Sequence, residues 1–346
     1  MTGTKLGIDL GTSKVAIYQE GHGVVLREPA VLAVEEKTGR LIAGGREAQE
    51  MIGREPPTIR LIRPMKGGVI SDSDYAQQLL TYLVRKVCAY KVFKPRAAVS
   101  IPALVTEVEQ RSVVKAATAA GIRRVALVEN YVAAAVGAGL EIRAPRGCMV
   151  VDLGAGTTDI AVLSLRGVAC GRSLRVGGDD LDEAIVRGLR AGQGHLIGKL
   201  TAEAVKKQIG SALPGEDNPV MAVRGRDMLT GLPRSRQVDA HTVWQYLQEP
   251  LSEILQAVQW VLENTPPELA GDVMEDGMVL TGGGAGLAGM AEFLQRETRT
   301  PCRVAEHPAD CVAIGTGRVL PHLDAMRSGV YDINQFTSNW SEWAEV

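Results

Sequence analysis

Short apolar runs alternate with amphipathic segments along almost the whole chain. Residues 6–10 and 15–18 are apolar runs on either side of Gly11-Thr12-Ser13, which predicts a β-hairpin. Residues 77–90 carry leucine and valine at helical spacing, which predicts an amphipathic helix. The same signals predict strands at 24–26, 31–34, 97–101, 125–128, 149–153, 160–165 and 278–281, and helices at 107–120, 132–139, 180–190, 201–212, 241–264 and 287–298. Pro250 is expected to bend or break the helix at 241–264. This alternation favours an α/β protein.

The opening hairpin pattern recurs in the second half of the chain. Asp9-Leu10-Gly11-Thr12 is matched by Asp152-Leu153-Gly154-Ala155-Gly156-Thr157, with Asp152 lying 143 positions after Asp9. A third strand–glycine–helix unit contains Gly282-Gly283-Gly284. No low-complexity linker separates the two halves. We therefore predict two similar α/β domains that meet across a cleft.

Composition and charge exclude several classes of protein. Lys+Arg 38 against Asp+Glu 40 gives a formal net charge of -2, so no nucleic-acid partner is expected. A hydrophobic share of 45% excludes a mainly disordered chain. No apolar run approaches the ~20 residues of a membrane span, and no signal peptide is predicted. Five widely spaced cysteines without a CxxC pair indicate reduced thiols and a cytoplasmic protein.

Both hairpin turns place an aspartate at a strand end, beside glycines and hydroxyl groups. Glycine lets backbone N–H groups approach phosphate oxygens closely. An aspartate beside phosphate is unfavourable unless a cation such as Mg²⁺ lies between them. A plain hairpin would explain one such turn, but two turns favour a phosphate site with Asp9 and Asp152 facing each other across it. The hydroxyl donors of this site would be Thr12, Ser13, Thr157 and Thr158.

The third glycine group also favours a ligand contact over a flexible loop. Gly282-Gly283-Gly284 lies between a predicted strand and a predicted helix, whose N-terminus would offer free N–H groups. The chain has no GxxxxGK[ST] segment, so a P-loop is not supported. A dinucleotide-binding fingerprint is not supported either, because no acid-tipped strand follows about 20 residues later.

These motifs carry a resemblance to a known superfamily. The segments that correspond to its phosphate-1, phosphate-2 and adenosine motifs are GIDLGT (7–12), VDLGAGTTD (151–159) and LTGGG (280–284). They resemble those of the actin/sugar kinase/heat-shock chaperone ATPase superfamily. Similarity to the MreB/Mbl family of bacterial actins extends over residues 5–325 and includes IRPMKGGVI (62–70), RVGGD (175–179), RGRDM (224–228) and DCVAIGTG (310–317).

The resemblance implies an α/β, actin-like ATPase fold. In this fold two ribonuclease H-like subdomains and two smaller inserted subdomains surround a nucleotide cleft. Domain I would cover residues 1–145, with its small subdomain at about 33–66. Domain II would cover residues 146–326, with its small subdomain at about 179–250. Residues 327–346 would form a C-terminal aromatic tail, which either packs on its own domain or docks a partner.

The resemblance also implies ATP and Mg²⁺ as cofactors. Asp9 and Asp152 would be the metal-binding residues. The nucleotide-binding residues would be Gly11, Thr12, Ser13, Lys14, Gly154, Ala155, Gly156, Thr157, Thr158, Gly178, Glu203, Lys206, Gly282, Gly283 and Gly284. Relatives usually have asparagine where this chain has Lys14, whose ammonium group would reach a phosphate or remain solvated at the turn. Glu203 and Lys206 share a helix face and could instead form an ordinary exposed pair.

Hydrolysis is where the sequence departs from the family. Relatives carry Glu-Glu-Pro before the small-residue helix, and the second glutamate positions the attacking water. This chain has Glu129-Asn130-Tyr131, so Asn130 occupies that place. An asparagine can orient water but cannot accept its proton. We therefore expect an ATPase coupled to polymerisation but slow, with Asn130, Glu129 and Asp152 as the candidate catalytic residues.

Val92 and Phe93 form a candidate membrane contact, because they lie between Lys91 and Lys94 and suit insertion among anionic headgroups. The alternative is that Phe93 folds back into the core.

The resemblance implies a membrane-associated filament that helps determine cell shape by organising cell-wall synthesis. Its partners would be further copies of itself, inner-membrane lipids and membrane proteins of cell-wall elongation, and it would lie in the cytoplasm on the inner membrane face. The alternatives are a filament-forming paralogue for organelle positioning or DNA segregation, and a small-molecule kinase.

Overall fold

A computed structural model describes residues 4–88, 94–103, 105–325 and 330–332. Strands and helices alternate as the apolar pattern predicts. The strands are β1 (Lys5–Leu10), β2 (Lys14–Gln19), β3 (Gly23–Pro29), β4 (Leu32–Glu35), β5 (Leu41–Gly44), β6 (Ile59–Ile62), β7 (Met65–Lys66), β8 (Val69–Ile70), β9 (Arg96–Ile101), β10 (Arg124–Glu129), β11 (Cys148–Leu153), β12 (Thr158–Ser164), β13 (Gly167–Leu174), β14 (His195–Leu196), β15 (Val220–Asp227), β16 (Pro233–Asp239), β17 (Met278–Thr281), β18 (Cys302–Val304) and β19 (Val330–Asp332). The helices are α1 (Arg46–Gln49), α2 (Ser73–Cys88), α3 (Glu107–Ala119), α4 (Asn130–Gly137), α5 (Gly178–Gln193), α6 (Lys199–Ile209), α7 (Ala240–Asn264), α8 (Pro267–Asp276), α9 (Met290–Thr298) and α10 (Cys311–Val319). Short 3₁₀ turns cover Gly283–Gly286, Pro308–Asp310 and Leu320–Ala325.

The two main sheets share one topology, and each is built mostly from one half of the chain. In the first sheet β1, β2 and β3 form an antiparallel meander, and β9 and then β10 continue it in parallel beyond β1. In the second sheet β11, β12 and β13 form the meander, and β17 and then β18 continue it in parallel beyond β11. The repeat in the sequence is therefore also a repeat in topology.

Two smaller three-stranded sheets are inserted into these halves. One consists of β4, β5 and β6 and lies in the chain between β3 and α2. The other consists of β14, β15 and β16 and lies between α5 and α7. No helix in the described parts of the chain is long and apolar enough to cross a bilayer.

Helices α4 and α10 join the two halves at backbone contact distance. A Cβ atom added to Gly315 would overlap the carbonyl oxygen of Ala133, and one added to Gly137 would overlap that of Cys311. Only glycine allows so close a crossing. Around α4, apolar residues of both sheets form one buried cluster, which includes Ala98, Ala126, Val128, Val150, Ala161 and Leu163.

Three helix predictions needed correction. Pro250 lies inside the unbroken helix α7, so the predicted break is absent, and the alternative of a bend stays a prediction. Burial of the flanking residues Val243, Leu247, Leu251 and Ile254 outweighs the single lost hydrogen bond. The small-residue helix begins at Asn130 rather than at residue 132, because apolar periodicity does not fix a helix end to the residue. The glycine group after β17 continues into a 3₁₀ turn, and α9 begins only at Met290, because Gly289 has a left-handed backbone with a φ of +69°.

Part of the predicted C-terminal tail belongs to the first sheet. Val330–Asp332 forms β19, which pairs antiparallel with β10 at the sheet edge. The aromatic residues Phe336, Trp340 and Trp343 lie outside the described residues. Val92 and Phe93, the candidate membrane contact, lie outside them as well.

Candidate functional site

A cavity of about 480 Å³ opens between the two halves, a volume within the ~300–1,000 Å³ range of small-molecule sites. It is lined by the β1–β2 and β11–β12 turns, the first turn of α5, helix α6 and the glycine turn after β17. The fold therefore brings together segments that are far apart in the sequence. The sequence-predicted site residues that line it are Asp9, Gly11, Thr12, Ser13, Lys14, Asn130, Asp152, Gly154, Ala155, Gly156, Thr157, Gly178, Glu203, Lys206, Gly282, Gly283 and Gly284.

The two hairpin turns are closed by equivalent hydrogen bonds. Gly11 N–H donates to the carbonyl of Lys14 at 3.1 Å, and Gly154 N–H donates to the carbonyl of Thr157 at 2.9 Å. The two turns also contact each other, because a Cβ atom added to Gly156 would overlap the hydroxyl oxygen of Thr12. The two halves thus meet at the point where both turns face the cavity.

Two of the predicted site residues do not line the cavity. Thr158 is fully buried, and its hydroxyl donates to the carbonyl of Val176 at 2.8 Å. Thr158 begins strand β12, where successive side chains point to opposite faces, so it points away from the side that Thr157 occupies. Glu129 is buried at the end of β10 and likewise is not part of the cavity wall.

The cavity contains one carboxyl group from each half: Asp152 is buried and Asp9 is half-buried. Burial is the main cause that raises the pKa of Asp9 to about 6 and that of Asp152 to about 7. The charge of each of the two neighbours Asp159 and Asp9 also raises the pKa of Asp152. Ser100 Oγ donates to Asp9 at 3.4 Å, and Thr281 Oγ1 donates to Asp152 at 2.8 Å. The cavity therefore brings two carboxyl groups together where burial disfavours their charged forms.

Lys14 is the cation that faces these carboxylates. Its charge lowers the pKa of both Asp9 and Asp152, and its ammonium group donates to the carbonyl of Ala309. Lys14 is half-buried and lines the cavity, so it is not simply solvated at the turn.

Asn130 lies in a buried hydrogen-bond group at one wall of the cavity. Its Nδ2 donates to Asp159 Oδ2 at 2.9 Å. Thr157 Oγ1 donates to the same carboxylate oxygen at 3.0 Å. Asp159 itself is fully buried, and burial raises its pKa. Hydrogen bonds from Ser173, Asn130 and Thr157 act in the opposite direction and lower that pKa.

Helix α6 forms the opposite wall through paired charges. Lys206 Nζ lies 2.8 Å from Asp182 Oδ1 and donates to the carbonyl of Gly178 at 2.6 Å. Glu203 pairs instead with Lys207, at 2.6 Å. Glu203 and Lys206 therefore both face the cavity, but each has a different partner from the one that their spacing suggested.

Several cavity residues were not among the predicted site residues. They are Leu10, Arg63, Gly68, Asp179, Leu181, Asp182, Lys199, Leu200, Lys207, Gly286, Leu287, Ala288, Ala309 and Val312. Gly68 carried a usable signal, because it belongs to the segment at 62–70 that resembles the family. Its N–H donates to Thr12 Oγ1 at 2.8 Å, and its φ of +78° requires glycine.

The carboxylates fit a hydrated magnesium ion better than a metal held by the protein alone. Among the described residues no group of three or more His, Cys, Asp or Glu side chains could hold a metal ion. Mg²⁺ commonly keeps several waters and takes one or two carboxylates together with phosphate oxygens. Asp9 and Asp152 are such a pair, and their raised pKa values show how unfavourable their charges are without a cation.

Comparison with known proteins places this fold and cavity in a family. A family model described as MreB/Mbl protein matches residues 3–328. The chain belongs to the MreB/Mbl family. The "Cell shape-determining protein MreB" of Escherichia coli strain K12 is 44% identical to it over 330 residues, which are 94% of this chain and 95% of the relative.

Solved structures of MreB proteins agree with the observed architecture. MreB5 of Spiroplasma citri bound to ADP superposes with a TM-score of 0.88 and 35% identity, over 93% of this chain and 97% of that one. The same protein bound to AMPPNP gives a TM-score of 0.86 at 33% identity, over 94% of this chain and 98% of that one. The MamK double helical filament, at a TM-score of 0.80 and 20% identity over 92% of this chain and 99% of that one, shows the fold alone. The predicted family and the predicted actin-like fold are thus confirmed.

Proposed function

We propose that the chain binds ATP with Mg²⁺ in the cavity between its halves and hydrolyses it slowly. One observation carries this proposal: the repeated aspartate–glycine turn brings Asp9 and Asp152 to the same cavity, next to Lys14. The structures of Spiroplasma citri MreB5, which are bound to ADP and to AMPPNP, support a nucleotide as the ligand. Mg²⁺ would supply the charge that lets two carboxylates lie beside phosphate.

Different residues around the cavity would bind the phosphates and the nucleoside of the nucleotide. The β1–β2 and β11–β12 turns would receive the phosphates through backbone N–H groups that do not close the turns and through the hydroxyls of Thr12 and Ser13. Glu203, Lys206 and the glycine group after β17 would receive the nucleoside. Asn130 takes the place of the water-positioning glutamate, which is why hydrolysis is expected to be slow.

The nucleotide would control assembly of the protein into filaments. Family membership and the name of the Escherichia coli relative support a cell-shape function, and the double helical filament of MamK supports filament formation by this fold. We place the filaments in the cytoplasm, on the inner face of the cell membrane, where they would organise cell-wall synthesis with membrane proteins of elongation. Val92 and Phe93 would contact the lipids.

Nucleotide binding and phosphate release test the first part directly. Purified protein should bind ATP more tightly with Mg²⁺ than with EDTA, and should release phosphate slowly without any added acceptor molecule. Phosphate transfer that appears only when a small-molecule acceptor is present would instead identify a kinase. Equal affinity with Mg²⁺ and with EDTA would contradict the role given to Asp9 and Asp152.

A further inference from the structure

Asp159 is a buried carboxylate that contacts two cavity residues at once. It lies on β12 and is fully buried, and it does not line the cavity. Its Oδ2 accepts hydrogen bonds from Asn130 Nδ2 at 2.9 Å and from Thr157 Oγ1 at 3.0 Å. Thr157 and Asp159 are two positions apart, so they lie on the same face of the chain as β12 begins. Neither the spacing of these residues nor the family motif suggests a function for this contact.

The hydrogen bonds to Asp159 determine which polar atoms of Asn130 and Thr157 stay free to bind a ligand in the cavity. Asp159 Oδ2 accepts both hydrogen bonds, so the Asn130 amide turns its NH₂ group toward Asp159. The amide oxygen, Oδ1, is then left without that partner. Thr157 has a single hydroxyl proton and gives it to Asp159, so its lone pairs remain. Both side chains line the cavity, and both therefore have acceptor atoms left for a ligand there.

We propose that Asp159 is a positioning residue for ATP hydrolysis, acting through Asn130 and Thr157. The two acceptors hold the two protons of one water molecule, which leaves a lone pair of that water free to attack the γ-phosphorus. The water oxygen–phosphorus bond forms as the phosphorus–oxygen bond to ADP breaks. The water proton leaves on the inorganic phosphate, because neither an amide nor a hydroxyl retains it. This inference rests on the ATPase function proposed above.

The acceptor atoms of Asn130 and Thr157 also explain how hydrolysis can proceed without a carboxylate at position 130. Phosphoryl transfer depends mainly on positioning and on stabilisation of charge, and less on removal of a proton beforehand. A water held in one orientation meets the first of these needs. Asp159 does not line the cavity, but its hydrogen bonds orient the Asn130 amide and the Thr157 hydroxyl, which do.

Asp159→Leu tests the proposal, because it keeps the branched shape of the side chain and removes the shared acceptor. Asn130 Nδ2 and Thr157 Oγ1 both donate to Oδ2, so both lose their partner in this variant. Neither side chain is then held with an acceptor atom toward the cavity. We expect phosphate release in single-turnover assays to fall by about 10- to 100-fold. The affinity for ATP should stay within about 3-fold, because Asp159 does not line the cavity.

Asp159→Asn provides the conservative comparison. Its amide oxygen can take the place of Oδ2 and accept from both Asn130 and Thr157. We expect its phosphate release to stay within about 5-fold of wild type, because both side chains keep their orientation. Asp227→Asn is the control for loss of a buried carboxylate, since Asp227 is buried in the β15–β16 hairpin away from the cavity. It should release phosphate at the wild-type rate.

The outcomes separate this inference from the proposed function. Wild-type phosphate release by Asp159→Leu would overturn the positioning role, and so would an Asp159→Asn variant as slow as Asp159→Leu. If Asp159→Leu does not fold, as judged by circular dichroism, Asp159→Asn decides alone, because a fall well beyond about 5-fold would overturn the role. Wild-type protein that binds ATP but never releases phosphate would overturn hydrolysis and the positioning role together. Wild-type protein that does not bind ATP would overturn the proposed function itself.

Discussion

At the scale of single residues, the cavity holds two carboxyl groups whose charged forms are disfavoured by burial. Asp9 and Asp152 come from different halves, and burial raises the pKa of each, to about 6 and about 7. Lys14 offsets part of this cost through its charge. Below these pKa values the carboxyl groups bind protons in the folded state that they would lose in the unfolded chain, where an aspartate has a pKa of about 3.9.

This difference makes stability depend on pH in a defined direction. Between about pH 4 and pH 7 the folded protein binds more protons at Asp9 and Asp152 than the unfolded chain does. The contribution of these groups to the free energy of unfolding therefore falls as the pH rises through this window. Asp152→Asn should remove the larger part, so the nucleotide-free variant should be more stable than wild type by on the order of 2 kcal/mol at pH 8 and nearly equal to it at pH 4.

Urea unfolding at a series of pH values checks this prediction. The same variant should lose the difference between its ATP affinity in Mg²⁺ and in EDTA, because the carboxylate on one side of the site is gone. A variant less stable than wild type at pH 8 would show that the Asp152 charge is compensated within the protein. Asp74→Asn, at an exposed position in the first turn of α2, is a control for the loss of a carboxylate that is not buried.

Gly156 offers a second test at this scale. A methyl group there would overlap the hydroxyl of Thr12, so Gly156→Ala should force the two hairpin turns apart. We expect ATP affinity to fall by at least about 10-fold, because misplaced phosphate contacts lose most of their benefit. Gly198→Ala is the matched control: nothing lies within 4 Å of a Cβ atom added there. Similar ATP affinity for both variants, measured by calorimetry, would argue against close contact of the turns.

Sequence motifs predicted most of the cavity residues, and their failures have physical causes. Thr158 follows Thr157 directly, but alternation along β12 turns it toward Val176. The function assigned to Asp159 depends on Asn130, which lies 29 positions earlier, so no local pattern could connect the two. Gly68 enters the site by donating to Thr12, a contact across 56 positions that only the fold creates.

At the scale of elements, the crossing of α4 and α10 holds the two halves together. Gly315→Ala would drive a methyl group into the carbonyl oxygen of Ala133, and backbone atoms cannot turn away as a side chain can. We expect this substitution to lower the free energy of unfolding by about 3 kcal/mol or more. Gly271→Ala in α8, where an added Cβ atom meets nothing within 4 Å, should be neutral or slightly stabilising.

Urea denaturation of both glycine variants distinguishes the crossing from general helix effects. Equal stability of Gly315→Ala and wild type would show that the helices can separate without cost. Loss of stability in Gly271→Ala would mean that alanine is poorly tolerated in these helices for some other reason.

Apolar periodicity predicted most of the elements, because an amphipathic face is a local property of the sequence. It did not predict how α7 tolerates Pro250, since that depends on the buried residues on both sides. It also could not place Val330–Asp332 on the edge of the first sheet, because β10, the partner strand, is about 200 residues away. Elements were therefore more predictable than their pairings.

At the scale of the whole molecule, a nucleotide in the cavity would contact both repeated halves, so its binding is expected to affect the protein as a whole. The proposed function adds assembly into filaments, and the proposed membrane contact at Val92 and Phe93 would add a surface on which to assemble. Val92→Ser/Phe93→Ser should lose sedimentation with anionic liposomes, because the apolar side chains that would insert are removed. Unchanged sedimentation would reject this contact.

The control for that experiment is an exposed apolar residue elsewhere. Val108, near the start of α3, is 71% exposed, so Val108→Ser removes apolar surface without altering the proposed contact. It should sediment with liposomes as wild type does. Loss of binding in both variants would point to apolar surface in general rather than to Val92 and Phe93.

Electron microscopy of the purified protein examines nucleotide-dependent assembly, on which the proposed function depends. We expect filaments when Mg²⁺ and ATP are present and few or none without nucleotide, with Asp152→Asn unable to respond to ATP. On anionic lipid the filaments should lie on the membrane, whereas bare helical filaments that ignore lipid would favour a paralogue for DNA segregation or organelle positioning. Protein that binds ATP with Mg²⁺ but stays monomeric at every concentration tested would contradict the proposed function.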